Sequence, residues 1–309
     1  MMSIKTNASA MTALASLQAT NKSLESTQNR ISTGYRVASA SDNAAYWSIA
    51  TTMRSDNKAI ATVKDALGLG AAKVDTAYTG LNAAIDVVDD IKAKLVAARE
   101  PGVDKTKIQA EIAQLQDQLT SIGSSASFSG ENWLSVDSSD ANYSATKSIV
   151  ASFTRATDGT VSVGTLTIDV DAIKLFDANG QIGILDTEST TTNGGVNYSV
   201  ATLDISGLTD TSADLADLDE MIGTVDSALQ SMISRAGDIG AAKKRIDMQM
   251  EFVGSLTDAI DRGISTLVDA DMNEESTRLQ ALQVQQQLGI QSLSIANSSV
   301  QTVMSLFRS

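Results

Sequence analysis

The chain of 309 residues contains no cysteine and no histidine. Without cysteine there can be no disulfide, no thiolate nucleophile and no zinc-thiolate site. Without histidine there is no Ser-His-Asp triad, no His-Glu-x-x-His zinc helix and no imidazole pH switch. Proline occurs once, at Pro101, which leaves room for very long helices. Aromatic residues make up 4% of the chain against 42% hydrophobic residues, so any core is mainly aliphatic and alanine. A basic surface is missing too. The net charge of −14 disfavours nucleic acid and anionic membrane as partners, since both require clustered Lys and Arg. No run approaches the ~18 apolar residues of a membrane span. Asn7, Ser9, Thr12 and Ser16 interrupt any apolar signal-peptide core, and no small-residue cleavage site follows. Taken alone, that places the protein in the cytoplasm.

What is present is a beat of three and four. It runs from Met53 through Ile60, Val63, Leu67, Gly70, Val74, Ala77, Leu81, Ala84, Val88, Ile91 and Leu95. Near the other end it returns as Leu279, Leu282, Gln286, Gly289, Leu293, Ala296, Val300, Val303 and Phe307. Such spacing averages 3.5 residues, the seam of a left-handed coiled coil. A third stretch includes Ile222, Val225, Leu229, Met232, Ala236, Ile239, Ile246, Met250, Val253, Ile260, Ile264 and Leu267, with Lys243 and Thr257 in polar slots. A shorter stripe joins Ile108, Ile112, Leu115, Leu119 and Ile122.

The first segment, Asn7 to Ile31, has one apolar column, Leu17, Leu24 and Ile31. Its second column is Leu14, Asn21 and Gln28, largely polar. Gly34 is the expected helix stop, and Ser41 or Asp42 the expected cap of the helix that runs on to about Ala98. Pro101 ends that helix, and the loop lets the next one turn back antiparallel. Phe128 to Leu134 reads as a hairpin or turn. From about Ala145 to Gly207 the period changes to two, in Val161–Val163, Leu166–Val170 and Leu203–Ile205. Tight turns are expected at Asp177-Ala178-Asn179-Gly180 and Gly194-Gly195. The expected fold is therefore mainly α: long antiparallel coiled-coil helices and a helical bundle from both termini, with a small β-rich inserted domain. The divisions are 1–40 (N-terminal inner segment), 41–144 (bundle with hairpin), 145–209 (β-rich surface domain), 210–268 (bundle) and 269–309 (C-terminal inner segment).

No catalytic constellation can be assembled. Asp177-Ala178-Asn179-Gly180-Gln181 superficially resembles a calcium loop, but Ile182 stands where the loop needs glycine; Glu188 alone fits. Asp89 and Asp90 are adjacent on a helix and point apart. Gly68-Leu69-Gly70 lacks the preceding strand of a dinucleotide site. No cofactor or metal is expected, and no enzyme. Three stripes can bury one another as a bundle. The outermost segments have only each other, diluted by Asn21, Gln28, Gln286 and Gly289, and two helices bury too little to be secure.

The run Asn29-Arg30-Ile31-Ser32-Thr33-Gly34-Tyr35-Arg36-Val37-Ala38-Ser39-Ala40-Ser41-Asp42-Asn43-Ala44-Ala45 resembles the N-terminal signature of bacterial flagellins. Asp269-Ala270-Asp271-Met272-Asn273-Glu274-Glu275-Ser276-Thr277-Arg278-Leu279-Gln280 resembles the C-terminal one, extended by Gln287 to Asn297 and the ending Leu306-Phe307. Phe128-Ser129-Gly130-Glu131-Asn132-Trp133-Leu134 is similar to the hairpin motif of the same family. The chain departs from the usual pattern at Tyr46-Trp47, where smaller residues are common. The resemblance implies a structural subunit that polymerises into the flagellar filament for swimming motility, its end helices lining an inner tube. It implies passage, unfolded and uncleaved, through the type III export apparatus with a chaperone. Assembly beneath a filament cap would follow, next to hook-associated proteins, in an extracellular location. The absence of disulfides and near absence of proline suit a threaded chain. Polymerisation is expected to bury Leu14, Leu17, Leu24, Ile31, Leu293, Val300, Val303 and Phe307 between subunits, in a helical homopolymer built by a non-closing head-to-tail contact. A hook-associated junction protein shares the terminal architecture and is the alternative.

Overall fold

The computed structural model describes residues 7–306, with side chains described for 7–298. Five helices dominate: α1 (Ala8–Thr33), α2 (Ala44–Ala98), α3 (Lys105–Ser125), α4 (Ser212–Val268) and α5 (Met272–Leu306). The strands are β1 (Ser127–Phe128), β2 (Glu131–Asn132), β3 (Ser135–Val136), β4 (Thr146–Arg155), β5 (Val161–Asp169), β6 (Phe176–Asp177), β7 (Ser189–Thr190) and β8 (Asn197–Tyr198). The chain forms two compact units, one of residues up to 58 together with those from 257 on, the other of residues 59–256. α2 and α4 each contribute to both.

In the 59–256 unit the sequence stripes become the core. Ile60, Val63, Leu67, Gly70, Val74, Ala77, Leu81, Ala84, Val88, Ile91 and Leu95 of α2 are all buried, as are Val225, Leu229, Met232, Ala236, Ile239, Ile246 and Val253 of α4. α2 and α4 run antiparallel, since Lys92 pairs with Asp226 and Asp75 with Lys243. α3 folds back on α2 through Pro101 and Gly102, the latter at φ 83°, and Lys94 meets Glu111. Asp104 caps α3 by accepting from the amides of Thr106 and Lys107. Thr211 caps α4 by accepting from the Asp214 amide. These placements follow from the ordinary need to satisfy the free amides of a first turn.

Side chains of the strand region pack into the helices. Ile149 lies where a side chain on Gly70 would have to go, and Leu134 crowds Gly80 in the same way. β6 pairs in parallel with β3, and Phe176 fills the space over Gly123 of α3. β4 and β5 form an antiparallel hairpin with an irregularity between Val150 and Ser152. There the Ala151 carbonyl accepts from Gln249 of α4 at 2.9 Å. The insert thus has apolar contacts with α2 and α3 and a hydrogen bond to α4. Alternation marks a half-buried strand without saying what it is buried against.

The β1–β2 turn places Ser129 (φ 53°) and Gly130 (φ 80°) both in the left-handed region, as a type I′ hairpin requires. Asn132 then donates to the carbonyls of Gly123 and Ser124, closing the end of α3. Leu203–Ile205, read above as a strand, is irregular. Both residues are buried, but no strand pairs with them: the Gln109 side-chain amide accepts from the Ile205 N–H and donates to the Leu203 carbonyl, which also accepts from Gln116. An amide on α3 imitates a neighbouring strand. β4, whose Thr146–Arg155 run lacks clean alternation, was not legible in the sequence. The cap of α2 is Asn43, accepting from Ala45 and Tyr46, rather than Ser41 or Asp42. Asp42 instead closes the preceding loop through the amides of Ala38 and Ser39, and the Ser39 amide holds its carboxyl below the usual range.

Two carboxylates tie the insert down. Burial pushes Glu131 up, but Lys73 of α2 and Lys147 of β4 overcome it and hold it at about 2. Asp177 is likewise pushed up by burial and brought to about 2 by the Ser138 amide, the buried Lys174 and the Asn179 amide. Both pKa values lie below those of the unfolded chain. Their stabilisation is complete above about pH 4–5 and is lost as pH falls toward 2, on the order of 2–3 kcal/mol each. Asp186, raised by burial, acts in the opposite direction. Denaturant titrations between pH 6 and about 2.5 should therefore show a net loss of stability, reduced in Glu131→Gln. A second expected outcome concerns Gly123→Ala, whose new Cβ would lie 2.7 Å from the Phe176 ring. It should lower stability by about 1–3 kcal/mol despite better helix propensity, read from the urea midpoint.

Candidate functional site

Within the other unit, α1 and α5 form an antiparallel pair. The N-cap Asn7 donates to the Ala296 carbonyl at 3.0 Å, Gln286 donates to Asn21 at 2.8 Å, and Arg30 meets Glu275 at 2.9 Å. Between these polar rungs Leu17 packs on Gly289, where an added Cβ would approach Leu17 Cδ1 to 3.2 Å. Glycine lets the two backbones come close at that level. Four contacts thus fix the register.

The inward face of α5 is the one read from its spacing: Glu275, Leu279, Leu282, Gln286, Gly289, Leu293 and Ala296 are buried or half-buried. On α1 the column of Leu17, Leu24 and Ile31 is half-buried and extends to Ala10. The second column differs from the expectation. Ala13, Thr20 and Thr27 face α5, whereas Leu14, Asn21 and Gln28 are exposed, Leu14 by 45%. Small residues at 13, 20 and 27 allow close approach, so the alternation of threes and fours continues from 10 to 31 one position away from the expected column. Of the expected interface residues, Leu17, Leu24, Ile31 and Leu293 come together in the pair, and Leu14 does not. The side chains of Val300 and Val303, and all of Phe307, lie outside the described residues.

Among the described residues of this pair only Thr27 and Glu275 are fully buried, and both are polar. Each leucine of the seam keeps part of its surface in water. On the far side, Met11 and Leu14 lie three residues apart on α1, and Val284, Leu288 and Ile295 share one stripe of α5. Leu288 is 60% and Ile295 62% exposed. Large apolar side chains are thus left in water on both helices of the pair.

The elbow that leads out of the pair is built by both chain segments. Gly34 takes the left-handed conformation (φ 75°) that ends α1. The next residues run antiparallel to the α4–α5 link: Tyr35 bridges Asp269, Arg36 and Val37 donate to the Val268 carbonyl, and Ala270 donates to that of Gly34. The Arg36 guanidinium donates to the carbonyls of Thr266 and Leu267, a cation at a helix C-terminus. Arg54 stands 4.9 Å from the centre of the Tyr35 ring. Val37, Ala50, Ile264 and Val268 form a small core beside it. The Arg30–Glu275 pair, Asn7 and Asn43 went unread in the sequence. A charge at a heptad slot, as Glu275 occupies four residues before Leu279, was the available signal for the first.

For chemistry the pair offers little. Among the described residues no three potential metal ligands cluster, and no helix is long and apolar enough to cross a membrane. What the arrangement can do is associate. Truncating Arg30 leaves Glu275 buried without its partner. Arg30→Ala should weaken the α1–α5 pair by about 2 kcal/mol, seen as faster amide exchange in both helices, with Arg30→Lys largely restoring protection.

The model of the bacterial flagellin N-terminal helical region matches residues 4–139, and that of the bacterial flagellin C-terminal helical region matches residues 222–307. Flagellin C of Rhizobium meliloti (strain 1021) is 54% identical over 322 residues, covering all of both chains. Flagellin of Brucella melitensis is 48% identical over 309 residues and flagellin A of Rhizobium meliloti 46% over 397, again with full coverage of each. A crystal structure of Bacillus cereus flagellin overlaps 62% of this chain and 88% of its own, with 17% identity and a TM-score of 0.39, too loose a likeness to carry an argument. The strand-bearing stretch 140–221 lies outside both family matches.

Proposed function

The chain belongs to the bacterial flagellins, as a structural subunit that polymerises into the flagellar filament, and we propose that the half-finished α1–α5 pair is the surface on which it does so. The observation that carries this reading is the pair of apolar flanks, Met11 with Leu14 and Val284 with Leu288 and Ile295, left in water beside a seam that is only half-buried. A neighbouring subunit would cover them. Leu14 then acts at the contact between subunits, while Leu17, Leu24, Ile31 and Leu293 first join α1 to α5 and are sealed on assembly. Val300, Val303 and Phe307 continue the same beat. Each large side chain so buried adds roughly 1.5–3 kcal/mol, repeated at every contact.

In this reading segments 1–40 and 269–309 form the inner layer, 41–144 and 210–268 the surrounding bundle, and 145–209 the surface. The subunit is exported through the flagellar type III apparatus with its chaperone, meets the cap and hook-associated proteins, and works outside the cell. It carries no catalytic function and needs no cofactor. A hook-associated junction protein would share the terminal helices but would not grow long polymers alone, and no feature of this chain favours it.

Purified protein seeded with filament fragments should elongate into long filaments, seen by electron microscopy. Leu288→Asp, on the outer stripe, should keep the helical content and thermal midpoint of the monomer yet abolish elongation. Normal filaments from that variant would remove the outer stripe from the interface.

A further inference from the structure

Two Asn-Gly pairs occur in the chain, Asn179-Gly180 and Asn193-Gly194, and the fold treats them differently. Asn-Gly is a chemically reactive pair. The glycine amide, unhindered by a side chain, attacks the asparagine Cγ after losing its proton. The new Cγ–N bond closes a succinimide as the Cγ–Nδ2 bond breaks and ammonia departs. Water then opens the ring at either carbonyl, leaving aspartate or isoaspartate. The reaction needs a free Gly amide, a side-chain amide able to rotate, and water.

At Asn193 both partners are restrained by one carboxylate. The Gly194 amide donates to Asp217 Oδ2 at 2.7 Å, and the Asn193 side-chain amide donates to Asp217 Oδ1 at 2.9 Å. The Asn193 backbone amide shares that second oxygen at 3.0 Å. Asp217 is itself buried, 1% exposed, on α4. Attack at Asn193 would require two charge-assisted hydrogen bonds to break together, and a buried carboxylate to lose its donors.

At Asn179 nothing comparable holds. Asn179, Gly180 and Gln181 are all exposed. The Asn179 side chain donates only to the Ser138 hydroxyl at 3.2 Å, and its backbone amide to Asp177. The Gly180 amide has no partner among the described residues. Around the Gly180 Cα the nearest side-chain atom to a would-be Cβ is Ile182 Cγ2 at 4.0 Å, so water has access. The backbone there is already unusual, with Gly180 at φ 78° and the non-glycine Gln181 at φ 53°.

We propose that Asn179-Gly180 is a site of spontaneous deamidation on the folded subunit, and that Asp217 protects Asn193-Gly194 from the same reaction. The product adds a carboxylate at the surface turn that follows β6, close to Asp177, and in the isoaspartyl form a backbone methylene. A polymer subunit that is not replaced after assembly would accumulate this change with age.

The test is incubation of the full-length protein at mildly alkaline pH, followed by cleavage after glutamate. Cutting at Glu188 places the two pairs on separate peptides. Mass spectrometry then reads conversion of amide to acid, and labelling by an isoaspartyl methyltransferase reads the isomer. In the folded protein Asn179 should convert about tenfold or more faster than Asn193, the factor expected for loss of charge-assisted hydrogen bonds. In denaturant the two rates should converge. Asp217→Asn should accelerate Asn193 alone. Equal rates in the folded protein, or faster conversion at Asn193, would overturn the proposal without reference to the variant.

Discussion

Everything in the terminal unit depends on how little two helices can hide. A pair of α-helices in contact buries one stripe of each and leaves the rest in water. Here that stripe is narrow, punctuated by Ala13, Thr20, Thr27, Gln286 and Gly289, and its leucines stay partly wet. Residues of full hydrophobic size sit on the outside instead. The pair is therefore complete in register but incomplete in burial.

Register and affinity are carried by different residues. Asn7, Asn21 with Gln286, and Arg30 with Glu275 set which rung of α1 faces which rung of α5. Half-exposed polar contacts add little net stability, yet a misaligned pairing would strand Glu275 without its cation. The apolar residues, being non-directional, could pack in several registers. Polar rungs at an otherwise permissive seam are the device that selects one, as a buried polar residue does in a coiled coil.

The 59–256 unit uses the same beat to a different end. There the α2 stripe is buried from Ile60 to Leu95, because α3, α4 and the strand region cover it. Glycines at 70 and 123 seat Ile149 and Phe176 of the insert, and Gly80 seats Leu134 of the hairpin before it. Glu131, held between Lys73 and Lys147, and Asp217, holding the β7–β8 turn, add electrostatic ties. The stretch outside both family matches is thus anchored on the helices through Ile149, Phe176, Lys147 and the β7–β8 turn.

Much of this was legible in the residues. The alternation of threes and fours marked the buried stripe of α2 from Ile60 to Leu95, much of that of α4 and the half-buried face of α5, because helix periodicity is a local property that burial must obey. Gly34 and Gly130 announced their turns, since positive φ is costly for other residues. The two terminal signatures identified the family. Only the tertiary structure decided which neighbour each face met. Ala13, Thr20 and Thr27 displaced Leu14, Asn21 and Gln28 because close approach of backbones outweighed side-chain size. Leu203–Ile205 lost its strand because the partner was an amide on α3. The insert's Ile149 and Phe176 found seats on α2 and α3 that alternation alone does not reveal. Period and turn chemistry are written locally; partner choice depends on residues over a hundred positions away, and spacing does not encode it.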